Sequence, residues 1–241
     1  MRVALLVVVA ACGRVNFDPI ADTSPGIDAV VGGDAVAEPS GLLLHFAFES
    51  DGLLHDRSTG QHDAVCSPAC PTPAVGRVGA GAASFDGSQC LQVADAPELR
   101  TLAFTFMLWF RPSGSGVQSA FGRPLNGATA GTNTFEAFLD NADVWKVAVN
   151  TQAVNTPTAA GAWHHLVGVF DGNAIAMYFD GAPKGTPRAV GAAVFGPDNL
   201  AIGCDVNSGT RSNQLIGLVD EVRLYDRALT AAEIAALAAL Q

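Results

Sequence analysis

From Gly41 onward, apolar and polar residues alternate with period two, the spacing of strands whose side chains point to opposite faces in turn. The stretch "LLLHFAFES" places Leu42, Leu44, Phe46 and Phe48 on one face. In "LAFTFMLWFRP", Phe104, Phe106, Leu108 and Phe110 alternate with Thr105, Met107, Trp109 and Arg111. In "LIGLVDEVRLYDR", Leu215, Gly217, Val219, Glu221, Arg223 and Tyr225 alternate with Ile216, Leu218, Asp220, Val222 and Leu224. Gly, Pro, Asn and Asp recur between such runs at intervals suited to an antiparallel sandwich, and no βαβ alternation appears. One helix is predicted, in "LTAAEIAALAALQ". Thr230 is its N-cap and Glu233 completes a capping box, Leu229 packs on Ile234, and Ile234, Leu237 and Ala238 face the sandwich.

Phe-Asp-Gly occurs three times, at Phe85–Gly87, Phe170–Gly172 and Phe179–Gly181. Asp-Gly favours tight hairpins, because glycine accepts positive φ and aspartate tolerates it. The last two copies therefore predict the turns of a three-strand meander. His164 and His165 are neighbours on a strand, so they point to opposite faces and read as packing residues, not as joint ligands of one ion.

The first residues read "MRVALLVVVAACGRVNFDP". One arginine precedes an apolar run from Val3 to Ala11, far short of the ~20 residues that span a bilayer. Its end, Val9-Ala10-Ala11-Cys12, resembles a bacterial lipobox, which predicts a signal peptide over residues 1–11 and a lipid on Cys12. Residues 12–40, rich in Asp, Gly, Pro and Ala, read as a lipidated N-terminus and flexible linker, and residues 41–241 as one domain. The formal net charge is −10 and Lys146 and Lys184 are the only lysines, which argues against nucleic acid or an anionic membrane surface as partner. Cys66, Cys70, Cys90 and Cys204 are an even set in a secreted context, which allows three disulfide connectivities. Cys66–Cys70 closing a loop and Cys90–Cys204 joining two strands is the preferred pairing. The spacing is poor for zinc.

Taken in order, "LLHFAFES", "GRVGAGAASFDGSQCLQV", "FTFMLWFRP", "AWHHLVGVFDGNAIAMYFDGAP", "NLAIGCD" and "GLVDEVRLYDRALTAAEIAAL" resemble the laminin G-like domains of the concanavalin A-like lectin/glucanase fold. The resemblance covers about 200 residues, Leu42 to Leu240. It implies an all-β jelly roll of two antiparallel sheets with a short C-terminal helix. It also implies partners among sugars, glycoproteins or other proteins, and frequently a calcium ion. Carried over residue by residue, the calcium ligands are Glu49 or Asp51, the Asp86–Gly87 loop largely through backbone oxygen, and Asp220. An aspartate between Leu218 and Val222 on an apolar face needs a partner. An ion, Arg223, Arg227 or a nearby turn would each serve.

Glucanases on this fold carry Glu-x-Asp-x-x-Glu on one strand, and that string is absent. Glu136 and Asp140 in "FEAFLD" would share a face but stand about 13 Å apart, too far for paired-carboxylate catalysis. The expectation is a non-catalytic, surface-anchored binding module of the bacterial cell envelope, for an extracellular glycan or glycoprotein. The alternatives are a protein-interaction module and, more weakly, a polysaccharide-active enzyme. Candidate ligand contacts are Arg123, Asn126, Trp145, Asn207 and Arg211, drawn from polar loops and strand aromatics.

Overall fold

A computed structural model describes residues 37–125, 133–157, 161–207 and 209–241. Cys12 lies outside the described residues. The strands, in chain order, are β1 (Leu42–Phe46), β2 (Val65–Cys66), β3 (Thr72–Val75), β4 (Gly81–Asp86), β5 (Leu91–Val93), β6 (Phe104–Pro112), β7 (Gln118–Pro124), β8 (Asn133–Leu139) and β9 (Val144–Asn150). There follow β10 (Gln152–Pro157), β11 (His164–Phe170), β12 (Ala174–Phe179), β13 (Ala182–Ala189), β14 (Leu200–Ile202), β15 (Asp205–Asn207), β16 (Thr210–Ser212) and β17 (Ile216–Tyr225), and then the helix α1 (Ala231–Ala238). An eight-stranded sheet runs β13-β12-β11-β6-β17-β4-β3, with β1 also on β17. A seven-stranded sheet runs β10-β9-β8-β7-β14-β5-β2, and β15 and β16 form a separate hairpin. All pairings are antiparallel. No helix among the described residues is long and apolar enough to cross a membrane.

The two sheets enclose one core. Phe104, Phe106, Leu108 and Phe110 of β6 meet Phe135, Val147 and Val149 of the other sheet, as the alternation predicts. The Phe106 and Phe135 rings stack at 4.7 Å. The opposite face of β6 sends Met107 to a second cluster with Val167, Tyr225, Ile234 and Leu237, which seats the helix. Thr230 and Glu233 form the expected capping box.

Alternation fails in β17. Val219 faces the core, but so do Val222 and Leu224, while Tyr225 packs in the helix cluster. Glu221, Arg223 and Tyr225 therefore leave the face expected for them. The cause is a register shift against β6 between Asp220 and Arg223, with Glu221 at φ +53°. One extra residue reverses every side chain beyond it. A shift between Leu42 and Leu44 likewise sends Leu42 to the helix cluster and leaves Leu44, Phe46 and Phe48 in the core.

The two downstream Asp-Gly pairs turn the meander β11–β12–β13. Asp180 and Gly181 take φ of +51° and +76°, both positive, as a two-residue hairpin requires. Asp171 accepts the Asn173 and Ala174 N–H groups through one oxygen. His164 packs on Phe179 and His165 on Trp109, on opposite faces. The disulfides are Cys66–Cys70 and Cys90–Cys204, the preferred pairing.

Candidate functional site

Asp220 lies where β17 changes partners along one edge. Its first part, Ile216–Val219, pairs with β4, and its last part, Val222–Tyr225, pairs with β1. The turn from Gly76 to Gly81 stands at this join. Asp220 Oδ2 accepts the N–H groups of Arg77 and Val78, at 2.9 and 3.0 Å. Glu49 Oε1 accepts those of Ala80 and Gly81, at 2.9 and 3.2 Å. Two glycines make the approach possible. A methyl at Gly79 would lie 2.1 Å from Glu49 Oε1, and one at Gly81 would lie 2.2 Å from the Phe48 carbonyl oxygen.

Asp220 is completely buried, and burial pushes its carboxyl up to about 7 against the pull of the two N–H groups. Its Oδ1 is buried with no hydrogen-bond partner. Neither arginine expected as a partner takes it: Arg223 pairs with Glu221, and Arg227 with Glu233. Glu221 also meets His45 at 3.0 Å. Burial opposes its ionisation, but His45 and Arg223 hold it below the usual carboxylate range. His165 stacks on Trp109 at 5.1 Å, with the Arg77 guanidinium 4.6 Å over the same indole. Burial and the Arg223 charge lower His165 to about 3, so it is neutral.

A buried carboxylate oxygen without a donor suits a hard cation. Asp220 Oδ1 fits that chemistry, while the turn itself offers the two carboxylates N–H groups. No group of three or more His, Cys, Asp or Glu is gathered for a metal among the described residues. Two expected ligands have other partners. Asp51 has both oxygens in a two-point pair with Arg57. Asp86 pairs with Ile216, four residues along β17 from Asp220 or about 13 Å away. Its carboxylate instead caps its own turn through Ser88, and Gly87 follows at φ +90°. The turn that reaches Asp220 lies upstream of β4, not downstream of it.

A second candidate lies on the outer face of the seven-stranded sheet. Gln92, Ala201, Gly122 and Glu136 form one row across β5, β14, β7 and β8. At the Gln92 end is a groove of about 210 Å³, lined by Gln92, Pro124, Pro197, Asp198, Asn199 and Val206. Asn199 donates to Gln92 Oε1 at 3.3 Å and accepts from the Asp95 N–H. Near the other end, burial and the charge of Asp205 raise Glu136 to about 7, and Asn133 donates to it at 2.9 Å. Nothing in the sequence singled out Gln92, Asn199 or Asp205, because strands distant in the chain bring them together.

The expected ligand contacts are mostly elsewhere. Arg123 is fully buried, 2.7 Å from Asp95 and over the Phe195 ring, because its parity on β7 turns it inward. Trp145 is also fully buried, with its ring 3.9 Å from that of Phe110. Arg123 presents no free surface to a ligand, and Trp145 none to bulk water, though its indole lines a cleft described below. Arg211 donates to the Ser88 carbonyl at 3.5 Å, Asn207 ends β15, and Asn126 lies outside the described residues.

Comparison with solved structures places the fold. Domain 4 of AbnA, an extracellular GH43 arabinanase from Geobacillus stearothermophilus solved with arabinotriose, matches with a TM-score of 0.67 at 20% identity, over 82% of this chain and 98% of that one. Trypanosoma rangeli sialidase, solved with the inhibitor DANA, matches at 0.61 and 18% identity, over 86% of this chain and 34% of that one. The binding domain of botulinum neurotoxin DC, solved with rat synaptotagmin II, matches at 0.60 and 10% identity, over 82% of this chain and 51% of that one. The chain thus spans about a third of the sialidase and half of the toxin domain. No curated protein matches it in sequence. The family model described as the Concanavalin A-like lectin/glucanases superfamily matches residues 85–235, more than half of the sequence. The chain belongs to that superfamily.

Proposed function

We propose that this protein is a non-catalytic binding module for carbohydrate or glycoconjugate, held at the bacterial cell envelope by a lipid on Cys12. The observation that carries the reading is the groove beside Asn199. It sets amide groups from Gln92 and Asn199 against the apolar flanks of Pro124, Pro197 and Val206. Amides meet sugar hydroxyls and the flanks meet C–H faces, the composition expected of a polyol site. The arabinanase domain, solved with arabinotriose, supports it by fold and by extent. Two disulfides suit an oxidising compartment outside the cytoplasm. Asp220, with Glu49 against the same turn, would hold a structural Ca²⁺, neutralising the buried charge at the β4–β1 join.

A protein-receptor reading has one observation in its favour, the toxin domain solved with synaptotagmin II. A glycan array probed with the oxidised protein, beside its Asn199→Ala and Gln92→Ala variants, separates the two. Signal on defined glycans that both variants lose supports the proposal. Silence on every glycan defeats it. Mass spectrometry of the membrane fraction tests the anchor, and an unmodified peptide running through Cys12 from the leader would defeat that part.

A further inference from the structure

At one end of the sandwich, between the β6–β7 loop and the β8–β9 turn, lies a cleft of about 480 Å³. Ser113, Ser115 and Asp143 form its exposed rim, Gly114 lines it, and Pro112, Leu139 and Trp145 form its buried floor. It is remote from the Asn199 groove, with which it shares no lining residue. Its volume lies within the range of small-molecule sites, roughly 300–1,000 Å³.

The floor carries an anomaly. Gln118, Leu139 and Trp145 occupy one row across β7, β8 and β9. Core packing would fill such a row with hydrocarbon. Here Trp145 Nε1 and Gln118 Nε2 are both buried donors without a partner. Gln118 spends its oxygen on the Ile216 N–H at 2.7 Å, which fixes the amide and leaves the NH₂ group unused. That NH₂ lies beneath Gly114, a lining residue, since a methyl there would lie 3.0 Å from it; Gln118 itself stands one layer behind the cleft wall. Two unused buried donors destabilise a fold unless something accepts from them. At the rim, Asp143 Oδ1 accepts the Gly116 N–H at 3.3 Å, and the two serine hydroxyls both donate and accept.

We infer that this cleft is a second binding site, taking one ring of a neutral carbohydrate. The donor pair requires ligand acceptors. The carboxylate and serines at the rim require ligand donors, and Pro112, Leu139 and the indole offer apolar contact. Hydroxyls on a hydrocarbon ring meet all three demands. An anion would be opposed by Asp143 and by the net charge of −10, and a cation would face the two N–H donors. Trp145 is closed to bulk water, so a ring reaches the indole only by displacing the Ser113–Gly116 loop, which is held by hydrogen bonds to Ile216 and Asp143.

The ligand class rests on the glycan reading; the site does not depend on the Asn199 groove. The test follows the indole N–H resonances of the ¹⁵N-labelled full chain as neutral monosaccharides are added singly. The Trp145 signal is the one lost in Trp145→Phe. The expected result is that at least one sugar shifts this signal and not the Trp163 signal. Gln118→Glu should weaken that titration about tenfold, as loss of one buried hydrogen-bond donor implies. Ser115→Phe, at an exposed rim position that leaves the core untouched, should abolish it by filling the cleft. Asn199→Ala should leave it unchanged. A Trp145 signal static under every sugar overturns the inference, and so does a shift that persists in Ser115→Phe. A positive glycan array with a static Trp145 signal removes this site and keeps the proposed function. A silent array removes that function as well.

Discussion

Asp220 gives the sharpest handle on the join between β4 and β1. Burial lifts its carboxyl from 3.8 to about 7. The folded-state value lies above the unfolded one, so folding takes up a proton between them. This group therefore favours the native state most below about pH 3.8, where both states are protonated, and that advantage fades as pH rises through 7. About three units at 1.36 kcal/mol each amounts to roughly 4 kcal/mol. Asp220→Asn cannot titrate and retains an oxygen for the Arg77 and Val78 N–H groups. Urea unfolding of both proteins in EDTA, at steps from about pH 4 to pH 8, gives a difference curve. In it the distant carboxylates titrate alike and cancel. Wild type should lose roughly 4 kcal/mol relative to Asp220→Asn across that range. A flat difference would refute the claim that Asp220 is buried and unneutralised. Calcium supplies the second arm. Held ionised by the ion, Asp220 would no longer titrate, so the difference curve should flatten. Wild type should also gain about 2.7 kcal/mol at a hundredfold excess over Kd. Stability that is indifferent to calcium and EDTA would remove the metal site.

Other consequences are simpler to measure. Cys90 and Cys204 lie 114 residues apart and Cys66 and Cys70 only 4 apart. By loop entropy, replacing the first pair with alanine should lower the unfolding free energy by about 5 kcal/mol and replacing the second by about 2, read by denaturant titration. Asp95 accepts from both Arg123 and Arg100, whereas Arg123 is fully buried with Nε and Nη2 unpaired. Asp95→Ala should therefore destabilise by about 3–5 kcal/mol by stranding a buried guanidinium, while Arg123→Met should be near neutral. The reverse order in thermal or denaturant unfolding would contradict the assigned burial. Thr230→Ala removes the helix N-cap and should lower stability by about 1 kcal/mol in the same assay.

Period-two patterning made β6 legible because every second residue, from Phe104 to Phe110, is a large hydrocarbon with no bulge between. The same reading failed in β17. The bulge at Asp220–Glu221 has no glycine or proline to announce it, and the apolar residues on both faces hide the change of phase. Trp145 was legible and missed. It alternates inward with Val147 and Val149 against Lys146, Ala148 and Asn150, so parity placed it in the core whatever its chemistry suggested. Arg123 was not legible, since a register shift between Ser119 and Phe121 precedes it and an inward arginine becomes reasonable only once Asp95 is beside it.

Asp220 needs a partner on residue chemistry alone: a carboxylate flanked by buried hydrocarbon cannot stand unpaired. Which segment answers that need was not in the local sequence. Along β17, successive residues are about 3.3 Å apart, so the two ends of β4 differ by some 17 Å in what they can reach. Asp86 closes the far end, while Gly81 opens the near one. Only the pairing of β4 with the first half of β17 and of β1 with the second half brings Glu49 and Gly76–Gly81 to Asp220. The join itself follows from the bulge, since a strand that shifts phase at Asp220 presents that residue where neither β4 nor β1 supplies a ladder partner. The feature that made the strand unreadable is thus the one that builds the site. A deletion of Glu221 that restored strict alternation should remove the pocket for the turn, with the loss of calcium response and of the Asp220 titration together, and retention of either would separate the bulge from the site.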